Sequence, residues 1–437
     1  MHGPAPSHGR CHASPPPGAA GWSPPLHSSL PPNATRSAPV RSREAQSNGR
    51  GLGGRGCTAL RHLTGDATHR PCPAQPGGPH RCGARPSTCE RDALCLRRLS
   101  FGRHHVNSLA RTDSLVDAHG RVVDYLRVSI TDRCNLRCRY CMPAEGLPVA
   151  PSERVLSVDD LVFAVEAAIS VGVNRIRITG GEPLLRRDVS TIVARIAELD
   201  GLADLALTTN ALLLHRHAAS LAQAGLRRVN VSLDSLHPER FERITRFHLL
   251  EETWRGIRAA TQAGLGPIKI NTVVLTGFND DELDEWVALV RDEPITVRFL
   301  ELMPIGEGHA LRRLGSFCDL DARRSDLVER YGLEPVDSAT GNGPARYWQE
   351  PGAAGRLGFI TPLSRPYCNT CSRFRLTATG ELRACLAFDT DIDVRAGILA
   401  RDREAVREGF RIAAATKPRG HRWNAGQVTR SGMSQLG

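Results

Sequence analysis

Lysine is almost missing from this sequence: Lys269 and Lys417 are the only two in 437 residues, against 55 arginines. A lysine-rich tract for a membrane surface is therefore excluded, and nearly all the positive charge is planar guanidinium, which binds its partners directionally. Aromatic residues are few, and only Trp22 and Phe101 precede Tyr125. That leaves the first quarter without the stacking platforms a single-stranded nucleic acid needs. No run of eighteen apolar residues occurs, which excludes a membrane-spanning helix. The start has no basic-then-apolar leader, so a secretory signal and the disulfides of an oxidising compartment are not expected. Methionine is absent between Met1 and Met142, so a conventional restart cannot fall between them. Acids are scarce at one end only: residues 1–105 hold four, against fourteen arginines.

What is present divides at that same point. The formal net charge is +11, of which +10 belongs to residues 1–105 and +1 to residues 106–437. The body is thus close to neutral, and no nucleic-acid partner is expected. The extension also holds fifteen of the 29 prolines, nine of the 16 histidines and six of the 13 cysteines, with no metal-ligand spacing among them. It shows no sustained period, and its composition predicts a disordered segment. Its Arg-rich, acid-poor character is that of a transit peptide without the amphipathic helix. The plainer expectation is a start assigned too far upstream, with the body beginning near Val106, or a tail without function.

From about residue 124, β-branched runs alternate with helical patterns: Tyr125–Ile130, Arg175–Thr179, Leu205–Thr209, Val229–Leu233, Ile268–Leu275 and Thr296–Leu302. Ser157 to Asp160 predicts a capping box for a helix bearing Leu161, Val162, Val165 and Ile169. Asn279 or Asp280 is expected to cap a helix whose Leu283, Trp286, Val287 and Val290 share one face. Six βα units predict an α/β fold with a parallel sheet, a partial (β/α)6 barrel with its chemistry at the C-terminal strand ends. After about residue 325 the alternation fades. The expected division is a barrel over 106–325 and a smaller C-terminal α+β domain over 326–437 that carries a second cluster.

Three cysteines follow the first strand directly: Cys134, Cys138 and Cys141. Three thiolates in eight residues suit an iron–sulfur cluster with one open iron, or a zinc ion completed by a ligand from elsewhere. Cys368, Cys371 and Cys385 form a second triplet, which suits another open cluster or a zinc ribbon short of one ligand. Inside it Arg373 and Arg375 are spaced to grip phosphate or purine, or to form a solvated surface pair.

The C-x3-C-x2-C spacing with Tyr140 resembles the signature of radical S-adenosylmethionine (SAM) enzymes. Gly180-Gly181-Glu182-Pro183, one βα unit later, resembles the strip that binds the SAM amino group, where Glu182 supplies charge or orders the loop. The two triplets, together with Arg373-Phe374-Arg375-Leu376-Thr377, resemble the GTP 3′,8-cyclase family of molybdenum cofactor biosynthesis, from about residue 113 onward. The resemblance implies two [4Fe–4S] clusters and SAM. It also implies conversion of GTP to (8S)-3′,8-cyclo-7,8-dihydroguanosine 5′-triphosphate, through removal of the ribose 3′ hydrogen and attack on C8. By the same resemblance the two triplets are the metal ligands, while Tyr140, Gly181, Ser232 and Met303 contact SAM. GTP contacts fall to Arg127, Arg177, Thr208, Lys269, Arg373, Phe374 and Arg375, with Arg127, Arg373 and Arg375 in catalytic positions and Arg298 a further phosphate candidate. Implied partners are GTP, SAM, an electron donor the sequence does not identify, and the downstream cyclic pyranopterin monophosphate synthase; a homodimer is one option, and the expected compartment is the cytoplasm.

Two departures stand out. Ala211 occupies a position where the family has glycine, so a positive φ there would carry a steric cost. The family ends Gly-Gly and this sequence ends on the single Gly437, so the last residue is expected to be missing, at more cost to turnover than to binding; Lys417, Pro418, His421 and Met433 otherwise fit the tail pattern. Two further readings remain: another radical SAM enzyme with an auxiliary cluster, such as a peptide modifier, which predicts additional cysteines beyond Cys385, and a non-catalytic iron–sulfur or zinc scaffold.

Overall fold

A computed structural model of the chain describes residues 114–337 and 343–436. The 1–105 extension, with its expected disorder, lies outside the described residues, as does Gly437. The six β-branched runs are strands β1 (Tyr125–Ser129), β2 (Arg175–Thr179), β3 (Asp204–Thr209), β4 (Arg228–Ser232), β5 (Lys269–Val274) and β6 (Thr296–Glu301). They pair side by side in chain order, all parallel.

Along each strand the side chains alternate between two faces. Leu126, Val128, Ile176, Ile178, Leu207, Val229, Val231 and Val297 are wholly buried on the face that meets the helices. Each such side chain contributes roughly 1.5–3 kcal/mol. The other face turns inward and is polar, and this polar lining positions the site. Helix α1 (Val158–Ser170) starts at the capping box foreseen at Ser157, whose side chain accepts from the Asp160 N–H while Asp160 accepts from the Ser157 N–H. The later cap differs from expectation. The helix Leu283–Asp292 begins after Glu282, because Asn279 and Asp280 are used in the preceding turn, where they accept from the Leu275 and Gly277 N–H groups at 2.7 Å each. Its four expected core residues are all buried.

The C-terminal third continues the same 12-stranded sheet. It adds β7 (Glu334–Val336), β8 (Arg346–Gln349), β9 (Arg356–Ile360), β10 (Arg373–Leu376), β11 (Glu381–Arg383) and β12 (Asp391–Asp393). Strand β9 lies parallel beside β6 and β10 lies parallel beside β1, so the α/β partial barrel has eight parallel strands. Residue 325 itself falls within the helix Leu320–Tyr331. The added strands are short and lack intervening helices, which is why the alternation fades there. None of the helices among the described residues is long and apolar enough to cross a membrane.

Candidate functional site

The first cysteine loop is built by close backbone packing. Beyond β1 the chain runs beside the end of β2, with the Gly181 N–H donating to the Thr131 carbonyl and the Glu182 N–H to the Arg133 carbonyl, both at 2.7 Å. A Cβ on Gly181 would lie 2.2 Å from the Arg133 carbonyl oxygen, and one on Gly180 would lie 2.4 Å from that of Thr131. Only glycine permits this approach. Glu182 orders the loop: its carboxylate accepts from the Leu184 N–H, the Thr209 hydroxyl and the Asn210 N–H at 2.7–3.0 Å. Of the two roles expected for Glu182, this structure shows the ordering one. Burial carries its pKa to about 7 against those donors.

Cys134, Cys138 and Cys141 all line one central cavity of about 360 Å³. Burial pushes the Cys134 thiol up to about 11 and that of Cys141 to about 12, and holds Cys138 well above its usual range. Thiols so placed deprotonate when a metal centre compensates the charge. Tyr140, between the last two cysteines, donates its hydroxyl proton to Asp234 at 2.8 Å. Asp234 also accepts from the Val273 N–H at 2.9 Å. Ser232, Met303 and Gly181 line the same cavity. Sequence reasoning missed Asp234, although it stands two residues beyond Ser232, and missed Ser434, buried beside Cys141 near the C-terminus with its backbone N–H donated to that thiol.

The second triplet corrects the expectation that all chemistry gathers at the C-terminal strand ends. Cys368 and Cys371 precede β10, and the Tyr125 N–H donates to the Ser372 carbonyl. This triplet thus sits at the opposite, N-terminal end of β1, separated from the first by the length of the strand, about 15 Å at ~3.3 Å per residue. Cys385 follows the antiparallel β11 and returns to the same end. Burial would raise the Cys371 thiol, but Arg373 and Lys417 outweigh it and bring it down to about 7. Lys417 Nζ donates to the carbonyls of Arg373 at 2.8 Å and Ala384 at 2.6 Å. Arg121, which the sequence reading passed over, pairs with Asp117 and donates to the carbonyls of Cys368, Pro418 and Arg419 at 2.7–3.0 Å.

Between the triplets the barrel interior is lined with cations. Arg127, Arg177, Arg298, Arg373 and Arg375 all border the cavity, and Arg127 stands in register with Arg177 on one side and Arg375 on the other. Burial, then the neighbouring guanidiniums, depress Arg127 and bring Arg375 to about 10; burial brings Arg298 to about 10. The crowded guanidiniums keep their charge at neutral pH. Arg373 differs: despite burial, Tyr367 and Cys371 beside it favour its charge. The Arg177 Nε donates to the Tyr125 hydroxyl. Thr208 Oγ1, Asn271 Oδ1 and Arg298 Nε are buried without a hydrogen-bond partner, so the cavity wall presents both donors and an acceptor to a ligand.

One expected side-chain contact is placed elsewhere. Phe374 points to the opposite face of β10 and is wholly buried against Phe410, 6.3 Å between ring centroids. Strand alternation makes that unavoidable once Arg373 and Arg375 face inward. Lys269 is buried at the start of β5 on the strand face of the cavity-lining Asn271, where burial and Arg298, Arg228 and Arg177 lower it to about 7. Ala211 adopts φ 64°, the left-handed conformation anticipated as its steric cost.

Each triplet offers three thiolates, which leave one iron of a cluster open, whereas structural zinc takes four protein ligands, so the donor sets fit iron–sulfur clusters better than zinc.

Two family descriptions cover the barrel in succession: the radical SAM superfamily over residues 128–290 and Molybdenum Cofactor Synthesis C over residues 295–423. The fold and the first cysteine loop therefore define a radical SAM protein. The chain is 43% identical over 325 residues to the GTP 3′,8-cyclase of Moorella thermoacetica, covering 74% of this chain and 99% of that one. It is 44% identical to that of Peptoclostridium acidaminophilum, covering 74% and 98%. It belongs to the GTP 3′,8-cyclase family. Among solved structures, Streptococcus suis SuiB bound to precursor peptide SuiA overlays with a TM-score of 0.46 at 15% identity, across 73% of this chain and 77% of that one.

Proposed function

We propose that this chain cyclises GTP to (8S)-3′,8-cyclo-7,8-dihydroguanosine 5′-triphosphate, the first step of molybdenum cofactor biosynthesis. The observation that carries the reading is a cation-lined cavity bounded by two cysteine triplets at opposite ends of one strand. With two [4Fe–4S] clusters and SAM bound, the site has a low-potential electron and a 5′-deoxyadenosyl radical at its disposal. Cys134, Cys138 and Cys141 hold the first cluster and Cys368, Cys371 and Cys385 the second. Gly181, Tyr140, Ser232 and Met303 hold SAM, and the Tyr140–Asp234 hydrogen bond fixes the ring. Arg127, Arg177 and Arg298 grip the triphosphate, with Lys269 adding charge from beneath. Arg373 and Arg375 orient the nucleotide toward the second triplet. Thr208 offers its unpartnered hydroxyl to the nucleotide. These walls exclude water and hold the ribose where its 3′ hydrogen can be removed. The product leaves for cyclic pyranopterin monophosphate synthase.

Anaerobic reconstitution with iron and sulfide, followed by metal analysis and assay of 5′-deoxyadenosine, tests this reading. The expected result is iron and sulfide equal to two clusters, with deoxyadenosine released only when GTP is present. Bound zinc without SAM cleavage contradicts it.

A further inference from the structure

We propose that the outer side of the first cysteine loop is a docking surface for an acidic one-electron carrier protein, formed by Arg133, Arg137, Arg139, Arg243 and Arg246. The inference rests on the proposed function, since it assigns the port through which the first cluster is reduced. Arg133, Arg139 and Arg243 are exposed, and Arg137 and Arg246 are half-buried. Arg137 and Arg246 donate to carbonyls of the loop itself, Arg139 to the neighbouring helix Pro238–Thr245, and Arg243 to the Gly277 carbonyl. Arg139 Nε donates to the Arg243 carbonyl at 2.6 Å, and Arg137 Nη1 to the Cys134 carbonyl at 2.8 Å. Arg246 Nη1 donates to the carbonyls of Arg137 and, at 3.2 Å, Met142. Carbonyl partners orient a guanidinium without cancelling its charge.

Among the described residues none of the five forms an ion pair, whereas Arg195, Arg258 and Arg330 in the helical layer each face a carboxylate. The nearby exposed acids are Glu145, Glu239 and Glu242, of which Glu242 lies 3.3 Å from His248 Nδ1, while the half-buried Asp132 accepts from the Ala150 N–H. On another side of the loop the C-terminal segment approaches, with Ser434 buried against Cys141. The 1–105 extension, with fourteen arginines and four acids, has the same sign as the patch and does not complement it. A positive surface of this kind steers an acidic partner and fixes its register. A carrier seated there stands over the loop that bears all three thiols. One electron leaves its reduced prosthetic group, which is oxidised by one equivalent; no proton moves and no bond changes in the transfer.

The test uses flavodoxin, whose flavin hydroquinone anion gives up one electron to become the neutral semiquinone. Its binding to the reconstituted full chain is followed by flavin fluorescence anisotropy at low and high salt. The double variant Arg139→Glu/Arg243→Glu is expected to weaken binding about tenfold or more at low salt and to flatten the salt dependence. Arg139→Lys/Arg243→Lys, which keeps the charge, is expected to bind like the native chain. Dithionite-driven deoxyadenosine formation and GTP affinity stay unchanged in all three. Unchanged flavodoxin affinity in the Glu variant overturns the proposal, as does equal loss in the Lys variant, or a dithionite-driven rate that falls in step with the flavodoxin-driven one. Failure of the functional reading is seen separately, as no GTP-dependent deoxyadenosine from the native chain with dithionite alone.

Discussion

Gly181 leaves no room for a side chain: a Cβ there meets the Arg133 carbonyl oxygen at 2.2 Å and that of Asp132 at 2.8 Å. Because the obstacle is backbone, Gly181→Ala must displace the loop, at about 1–3 kcal/mol. The expected outcome is iron content falling toward that of a single cluster and loss of SAM binding, with the second cluster retained; an unchanged iron count and SAM affinity would refute the packing account. Lys269 argues in another way. Burial and three arginines hold its pKa at about 7, so in the free protein it is mostly neutral above that pH. A bound triphosphate favours the charged form, so binding takes up a proton and GTP affinity falls as pH rises above about 7, by up to tenfold per unit. Calorimetry in buffers of different ionisation enthalpy should show proton uptake approaching one per GTP, and Lys269→Met should abolish it. At this scale the sequence was legible where a residue type has one use, as with the cysteine spacings and Ala211. It was not legible for Phe374 and Asp234, whose roles depend on which face a strand turns inward and on what lies across the barrel.

Elements were legible where hydrophobic periodicity decides, which is why β1 to β6 and the Ser157 cap lie where the pattern puts them. Strands β9 and β10 carry no such signature, because their neighbours come from distant sequence. The end of the barrel at which the second triplet sits follows only from the parallel pairing of β10 with β1. Arg121 belongs to this scale. It ties the segment before β1 to the loops that carry Cys368 and Lys417, and it neutralises Asp117, which is 5% exposed. Arg121→Met leaves a buried carboxylate without its partner and is expected to cost about 3–5 kcal/mol. Thermal unfolding should show that loss, and reconstitution should show the second cluster depleted before the first, with GTP affinity falling alongside it. Loss of stability with both clusters and GTP binding intact would contradict the placement.

For the whole molecule, the scarcity of lysine and the +11 charge have separate meanings. The excess of +10 lies in residues 1–105, while the near-neutral body lines its cavity with arginines and pairs many of the others with carboxylates on its outer surface. Relatives that match 74% of this chain are covered over 98–99% of their own length, so they have no counterpart to the remaining quarter. A chain beginning at residue 106 is therefore expected to reconstitute both clusters and to turn over GTP within about twofold of the full chain, a difference of under ~0.5 kcal/mol in barrier. Activity lost on truncation would assign the extension a role in the reaction. The account's central claim is that one cavity brings the 3′ hydrogen of GTP to a radical made at the first triplet. Turnover of GTP carrying deuterium at the ribose 3′ position, with mass analysis of the released 5′-deoxyadenosine, tests it most directly. The account predicts deuterium in the deoxyadenosine and a cyclised nucleotide that has lost it; deoxyadenosine without deuterium, formed at the same rate with or without GTP, would contradict it.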